Sequence, residues 1–431
     1  MILRLSSPAE RGIFLVLAVL FLGVLSFFSI RNALAAHYAD LATSAGYARA
    51  VRLEPGNSKN WFGLGTYLQF NLEDPDVPAA IHAYRTSLDF NGTAPDTWLN
   101  LGAAYESDGD PAAARAAFLN ALKFYPQSAE VCWRYGNFLL RQGDSGEAFK
   151  QIRKAVELDP HRGAEAFSRA SRVEPDVDKL LDRVLPRSPQ VYVDVIADLS
   201  ADAQTDNALK VWNRLAQLHP SLPLQLTFPL VDALRQKNQI VESRRVWDQA
   251  VVFAGLSNLP GPSHSMIWDG GFESGVERIG YAWTLSRNFR TVQILYDKKE
   301  KHSGDQSLRL TFDGSTNLSF QDVCQFVPVV PSASYNFSVW VRTRDLSTDQ
   351  GAHFQLRSLG ASGNTIFNTA DAVGNMPWTQ IQMSWTAPSD TQMLYVCLAR
   401  SASGQPENRI RGTLWVDDVA LVPAAAENSK P

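Results

Sequence analysis

The stretch WLNLGAAYESDGDPAAARAAFLNALKFYP, Trp98 to Pro126, decides how the first half of the chain is read. It spaces Trp98-x-x-Leu101-Gly102-x-x-Tyr105, then Ala114, Phe118, Ala121 and Pro126. The same offsets return 34 residues later at Gly136, Ala148, Ala155 and Pro160. The preceding unit has Trp61, Leu64, Gly65, Ala80, Tyr84 and Ser87, with extra length absorbed by the two-proline loop 71–78. An earlier half unit ends in Tyr47, Ala50 and Pro55. Small residues at fixed offsets let two helices approach closely, aromatic rings fill the gaps, and a proline stops the second helix. Each pair buries its face only against its neighbours, so several must stack.

This pattern resembles a tetratricopeptide repeat at every signature position of the unit that opens at Trp98. The resemblance implies a right-handed solenoid whose concave groove holds a peptide or partner helix. Asn60, Tyr67, Asn100, Arg134 and Asn137 on the inner helices are candidate groove residues, against the alternative of plain solvated positions. Cys132 takes the Trp position of its repeat and is expected in the core. Beyond Pro160 the pattern decays. Residues 163–186 read as a shortened pair, and Ala208, Trp212, Leu215 and Pro220 keep the second-helix offsets, as do Ser243, Trp247 and Ala250. About six helix pairs are expected between residues 40 and 255, three of them strong.

Upstream lies GIFLVLAVLFLGVLSFFSI, residues 12–30, bounded by Arg11 and Arg31. A helix needs roughly 20 apolar residues to cross ~30 Å of hydrocarbon, so this run suffices as a single-pass anchor. Arg4 and Arg11 against Glu10 place the leader 1–11 in the cytoplasm by the positive-inside rule. The rest of the chain is then extracytoplasmic, which predicts residence in an inner membrane. The alternative is a cleaved signal peptide ending at Ala33-Leu34-Ala35, although the apolar run exceeds the usual ~7–15 residues of such a segment.

After SNLPGPSHS, within the expected linker 256–265, the period switches from helical to alternating. Tyr335, Phe337, Val339 and Val341 alternate with polar residues, and so do Phe354 with Leu356, and Leu394, Val396 and Leu398. Short strands broken by Gly, Pro, Ser and Asn predict a β-sandwich over 266–423, followed by a disordered tail 424–431. The fold class is therefore multidomain: a transmembrane helix, an all-α solenoid, then an all-β jelly roll.

The sandwich resembles the jelly-roll carbohydrate-binding modules of the xylan- and glucan-binding type, within the galactose-binding-like fold. The resemblance rests on Asp269-Gly-Gly-Phe272-Glu273 before Trp283, and on Ser303-Gly304 before Ser307-Leu308. It continues through Gln325-x-Val327-x-Val329-x-Pro331 before Tyr335 to Trp340, then Trp378-Thr379, and closes on Val416-Asp417-Asp418-Val419. It departs at Ser332-Ala333, where a glycine is usual. It implies sugar recognition on an outer sheet face, where aromatic rings stack on pyranoses. Alternation offers Trp340, Arg342, Gln355, Arg357 and Tyr395 as one such platform, with Trp378 and Trp385 in the core. The alternative packs Trp340 under a loop.

The resemblance also implies a structural calcium ion tying the first and last strands, with Glu273, Asp305, Asp417 and Asp418 as ligands. The alternative is turn-capping carboxylates without an ion. No cofactor is otherwise required. Pairing of Cys324 with Cys397 is open, because it needs Cα atoms within ~7 Å.

Net charge is −4 with pI near 6.0, which argues against a nucleic-acid partner. No H-E-x-x-H, G-x-S-x-G, P-loop or dinucleotide fingerprint occurs. Gly143-Asp144-Ser145-Gly146 falls at an inter-helix turn. Asp417 and Asp418 are expected on opposite strand faces, which excludes a catalytic carboxylate pair. The reading is a non-enzymatic scaffold that recruits a protein in its groove, contacts polysaccharide, and assists bacterial envelope or exopolysaccharide assembly. The alternative is a pure protein-interaction scaffold whose jelly roll is a spacer or second protein contact.

Overall fold

The computed structural model describes residues 7–287, 290–360 and 365–424. Arg4 and most of the expected tail, 425–431, lie outside the described residues. The chain divides into two compact units, Met1–Arg187 and Ser188–Pro431.

The first unit opens with α1 (Pro8–Asp40), started by a capping box between Ser7 and Glu10. Among the described residues it is the one helix long and apolar enough to cross a membrane, by length and composition, and its apolar stretch is unburied. Either a membrane span or a signal sequence has this form. The helix does not end with its apolar run. Ala35 is fully buried, and the Arg49 guanidinium lies 5.2 Å from the Tyr38 ring, so the last turns of α1 pack on α2 (Ser44–Leu53).

Helix pairs follow: α3 (Ser58–Phe70) with α4 (Val77–Phe90), α5 (Pro95–Ser107) with α6 (Pro111–Phe124), and α7 (Ala129–Arg141) with α8 (Ser145–Leu158). Then comes a short pair, α9 (Gly163–Ser171) and α10 (Val177–Arg183). The second helix of each strong pair starts the same way. Asp76, Asp110 and Asp144 accept the backbone N–H groups of Ala79, Ala113 and Glu147 at 3.0, 2.9 and 3.4 Å. Gly102 shows why its position must be small: a Cβ there would lie 2.9 Å from the Phe118 ring. Cys132 is buried, as expected.

In the second unit, α11 (Pro189–Ala201), α12 (Thr205–Ala216), α13 (Phe228–Gln236) and α14 (Ile240–Phe253) complete six pairs from α3 onward. The weak signature residues Ala208, Trp212, Leu215, Trp247 and Ala250 are all buried. Two antiparallel sheets follow. The first has the order β1-β4-β9-β6-β7, with β1 Thr284–Leu285, β4 Phe320–Pro328, β6 His353–Gly360, β7 Ile366–Asn368 and β9 Thr391–Arg400. The second has the order β2-β3-β10-β5-β8, with β2 Val292–Asp297, β3 Ser307–Asp313, β5 Ser334–Ser347, β8 Gly374–Thr386 and β10 Arg411–Pro423. Their inner faces share one core that includes Phe337, Val339, Phe354, Leu394, Val396 and Trp385, as alternation predicts. Trp378 does not join that core. It lies half-buried on the outer face of β8, in phase with Gln380, the cross-strand partner of Trp340.

Residues 256–265 are not where the compact units part. The last helix pairs belong with the sandwich. Trp247 packs edge-on to Trp268 and Tyr281, with centroids 5.2 and 5.9 Å apart. The Tyr281 hydroxyl donates to Ser243 Oγ at 3.0 Å, and Arg244 Nη1 donates to the Met266 carbonyl at 3.0 Å. Gly280, at φ +48°, lets the backbone pass Trp247, where a Cβ would lie 2.5 Å from the indole.

Cys324 and Cys397 are register partners on β4 and β9, their Cα atoms are 4.1 Å apart, and they form a disulfide. The bridge closes a loop of sequence separation 73. Replacing both cysteines by alanine is expected to cost about 2–5 kcal/mol in denaturant unfolding; an unchanged midpoint would show the bridge to be dispensable. Trp247→Ala is expected to cost about 3–5 kcal/mol and to shift the unfolding of α11–α14 and the sandwich together. Separate helix and strand transitions, with only the helical one shifted, would contradict the shared packing.

Candidate functional site

The residues expected in the solenoid groove join repeat to repeat instead. Asn60, Asn100 and Asn137 are buried. Arg134 donates from Nη1 to Asn100 Oδ1 at 3.0 Å and from Nη2 to the Leu99 carbonyl at 3.3 Å. One repeat on, Arg169 Nη1 donates to Asn137 Oδ1 at 3.0 Å, while Asn137 Nδ2 donates to the Trp133 carbonyl at 2.9 Å. Burial holds the Arg134 guanidinium below its ordinary pKa, against the pull of Glu130 and Asp96. Asn60 Nδ2 donates to Glu54 Oε2 at 3.5 Å, and Tyr67 tilts against Tyr47 with centroids 6.2 Å apart. An Arg–Asn ladder of this kind fixes the register of the stack, because a buried amide left unpaired is costly.

In the sandwich, the five expected glycan residues do not share one surface. Trp340 and Arg342 lie on β5 of the second sheet, whereas Gln355, Arg357 and Tyr395 lie on β6 and β9 of the first. Alternation decides in or out along a strand but not which sheet the strand joins. Trp340 is also covered. The His302 ring stacks on it with centroids 3.9 Å apart, and Trp378 meets the same imidazole edge-on at 5.8 Å. Arg342 Nη1 pairs with Glu300 Oε1 at 3.2 Å. On the outer face of the second sheet the tryptophan and Arg342 are thus spent on its own loop, while Asn336, Gln380, Gln382 and Ser384 stay exposed.

That loop is held by carboxylates. Asp418 Oδ2 lies 2.6 Å from His302 Nδ1, and Ser303 Oγ donates to Asp418 Oδ1 at 2.8 Å. Asp417 Oδ2 accepts the backbone N–H groups of His302 and Ser303 at 2.8 and 3.2 Å. The two aspartates therefore serve one loop rather than opposite faces. The cause is a register shift between Asp417 and Ala420, with Asp418 at φ +50°. Burial pushes the Asp417 carboxyl up to about 6, despite those N–H bonds.

Of the residues expected to hold calcium, Asp305 gives only its backbone N–H, to Glu273 Oε1 at 2.8 Å. Glu273 and Asp417 come together at Gly271, where a Cβ would meet the Pro260 carbonyl oxygen at 3.2 Å. A Cβ on Gly271 would lie 3.4 Å from Glu273 Cγ and 3.8 Å from Asp417 Oδ1. Among the described residues no group of three or more His, Cys, Asp or Glu side chains is placed to hold a metal.

The outer face of the first sheet is different. Tyr395 and Phe326 form an aromatic pair with centroids 4.6 Å apart, tilted by 32°, both half-buried. Beside them runs a polar row. Gln321 Nε2 and Arg357 Nη2 each donate to Gln355 Oε1 at 3.0 Å, and Gln355 Nε2 donates to Asn368 Oδ1 at 3.4 Å. Arg357 is the register partner of Tyr395. Arg235, from α13, places its guanidinium 4.5 Å from the Phe326 ring centroid. Burial raises the Tyr395 hydroxyl's pKa, Arg357 and Arg235 pull it back, and Asp322 adds to the rise. Rings with flanking amides and guanidinia match what a pyranose chain presents: apolar faces and hydroxyl edges. Phe326 was partly within reach of the sequence, since alternation from Val327 turns it outward, and the pairing of β4 with β9 puts it beside Tyr395. Arg235 carried no signal, because only docking of a helix on a sheet brings it here.

Comparison with known proteins agrees with this layout. Residues 72–129 and 99–163 match the Tetratricopeptide repeat family, and residues 265–403 match a Carbohydrate binding domain family. No curated protein matches the sequence. Among solved structures, Pseudomonas aeruginosa pilF is 14% identical, covering 52% of this chain and 90% of its own, at TM-score 0.29. YrrB, a TPR protein with an unusual peptide-binding site, is 13% identical, covering 49% of this chain and 94% of its own, at TM-score 0.26. The C-terminal family 22 carbohydrate binding module of Clostridium thermocellum Xyn10B is 16% identical, covering 38% and 98%, at TM-score 0.29. The chain therefore carries tetratricopeptide repeats in its N-terminal region and a carbohydrate-binding domain of jelly-roll fold toward its C-terminus.

Proposed function

We propose that the chain is a non-catalytic scaffold anchored in an inner membrane by α1, with its bulk extracytoplasmic. Its repeats recruit a protein partner, and the first sheet's outer face contacts polysaccharide during envelope or exopolysaccharide assembly. The observation that carries the proposal is the half-buried Tyr395 ring, paired with Phe326 beside the Gln321–Gln355–Arg357 row, within a sandwich whose other outer face has its tryptophan covered by His302. A second reading, a pure protein-interaction scaffold, is favoured by an apolar patch. Val241 and Val330 are 77% and 62% exposed, and both line a pocket with Ile240, Met266 and Pro331.

Binding of the full chain, in detergent micelles, to xylan and mixed-linkage glucan separates the two. Tyr395→Ala is expected to weaken retention about tenfold through loss of a stacking ring, and Trp340→Ala to leave it unchanged. Retention insensitive to Tyr395 would move the weight to the second reading.

The proposal includes a structural calcium ion. Glu273 and Asp417 would hold it, with main-chain carbonyls supplying the rest of roughly six to eight oxygens. Bound there, the ion would fasten the start of the sandwich to its last strand. Calcium at pH 7 is then expected to raise the thermal midpoint, and Asp417→Asn to abolish the rise. A midpoint indifferent to calcium would leave both carboxylates as turn caps.

A further inference from the structure

We infer that the polysaccharide face is composite, with Arg235 of the helical repeats completing it, and that it selects an acidic, uronate-bearing chain over a neutral one. The inference rests on the glycan reading above and goes further by naming the residue and the charge.

Three observations carry it. First, α13 and the first sheet belong to one compact unit, and the Trp247 junction holds them together. Arg235 is therefore a fixed part of the face. Its guanidinium sits over Phe326 and keeps Asp232 on its own helix at 3.1 Å. A surface ion pair of this kind is weak and leaves donors of the five-donor fork for a ligand.

Second, Arg357 stands on the other side of the aromatic pair with no carboxylate partner among the described ion pairs. It bonds the neutral Gln355, and its Nε is buried without a hydrogen-bond partner. A guanidinium without an anionic partner is satisfied best by a carboxylate, which takes two N–H groups at once. The second sheet offers a contrast. There Arg309, Arg342 and Arg344 have all found Asp297 or Glu300.

Third, Asp322, the carboxylate felt at the Tyr395 hydroxyl, acts on it less than Arg357 or Arg235 does. Asp322 is partly buried with Oδ2 unpaired, and burial raises its pKa. A pyranose ring on Tyr395 would thus lie between two guanidinia, Arg235 over the neighbouring Phe326 and Arg357 on the opposite strand. A sugar carrying C6 as a carboxylate presents charge at the ring edge, where either fork can take it.

The test uses the full chain in detergent micelles, with polygalacturonate and the same polymer after carboxyl reduction to galactan. Tighter binding to polygalacturonate is expected, by about tenfold at low salt, as for charge-assisted hydrogen bonds, and the margin should shrink as ionic strength rises. Arg235→Ala should bring polygalacturonate down toward the level of the reduced polymer without altering the latter. Arg235→Lys, which keeps the charge and guards against a folding defect, should recover part of the margin. Tyr395→Ala should weaken both polymers. Equal affinity for the two polymers, or a margin indifferent to Arg235, would overturn the inference while the glycan reading stands. Failure to bind these polymers, xylan or glucan would remove the glycan reading and the inference together.

Discussion

The edge-on packing of Trp247 against Trp268 and Tyr281 is the interaction on which the C-terminal half depends. An indole buried from both sides removes a large apolar area from water, and Gly280 bends out of its way. Hydrogen bonds from Tyr281 to Ser243 and from Arg244 to Met266 fix the angle of approach. Without this joint the sandwich would be a module on a string. With it, the last helix pairs are part of the module, and a helical arginine can stand over a sheet face.

The two outer faces of the sandwich show how similar residues come to different ends. On the second sheet, aromatic and charged side chains are consumed by the 300–303 loop. His302 covers Trp340, while Glu300 and Asp297 neutralise the arginines. A carboxylate pair turned to one side by a bulge clamps that loop from below. On the first sheet no loop among the described residues does the same. Aromatic faces and guanidinium donors there keep capacity for a partner, and the Cys324–Cys397 bridge stiffens the strands that carry them.

In the solenoid a comparable economy holds. Polar residues that look like groove ligands are spent on the Arg134–Asn100 and Arg169–Asn137 bonds between repeats. The repeating aspartate caps and the small residue at Gly102 settle each pair, and the ladder settles how pairs stack. What remains for a protein partner is the surface that these bonds leave free.

The architecture was legible in the order of the residues. Period 3.6 with recurring small and aromatic residues specified the repeats, even at Trp212 and Trp247 where the signature had decayed. Period 2 specified which residues of each strand face the core; Trp378 was misplaced because it stands an odd number of residues from Trp385 and so falls on the outer face with Gln380. Both signals are local: they arise within one helix or one strand. Tertiary structure alone decided which strands share a sheet, and so separated Trp340 from Tyr395. It decided that Asp417 and Asp418 turn together, because one left-handed residue breaks the alternation. It also brought Arg235 to Phe326 across ninety residues of chain. Juxtapositions of that kind are set by how elements pack, and packing is a property of the whole fold rather than of any segment in it.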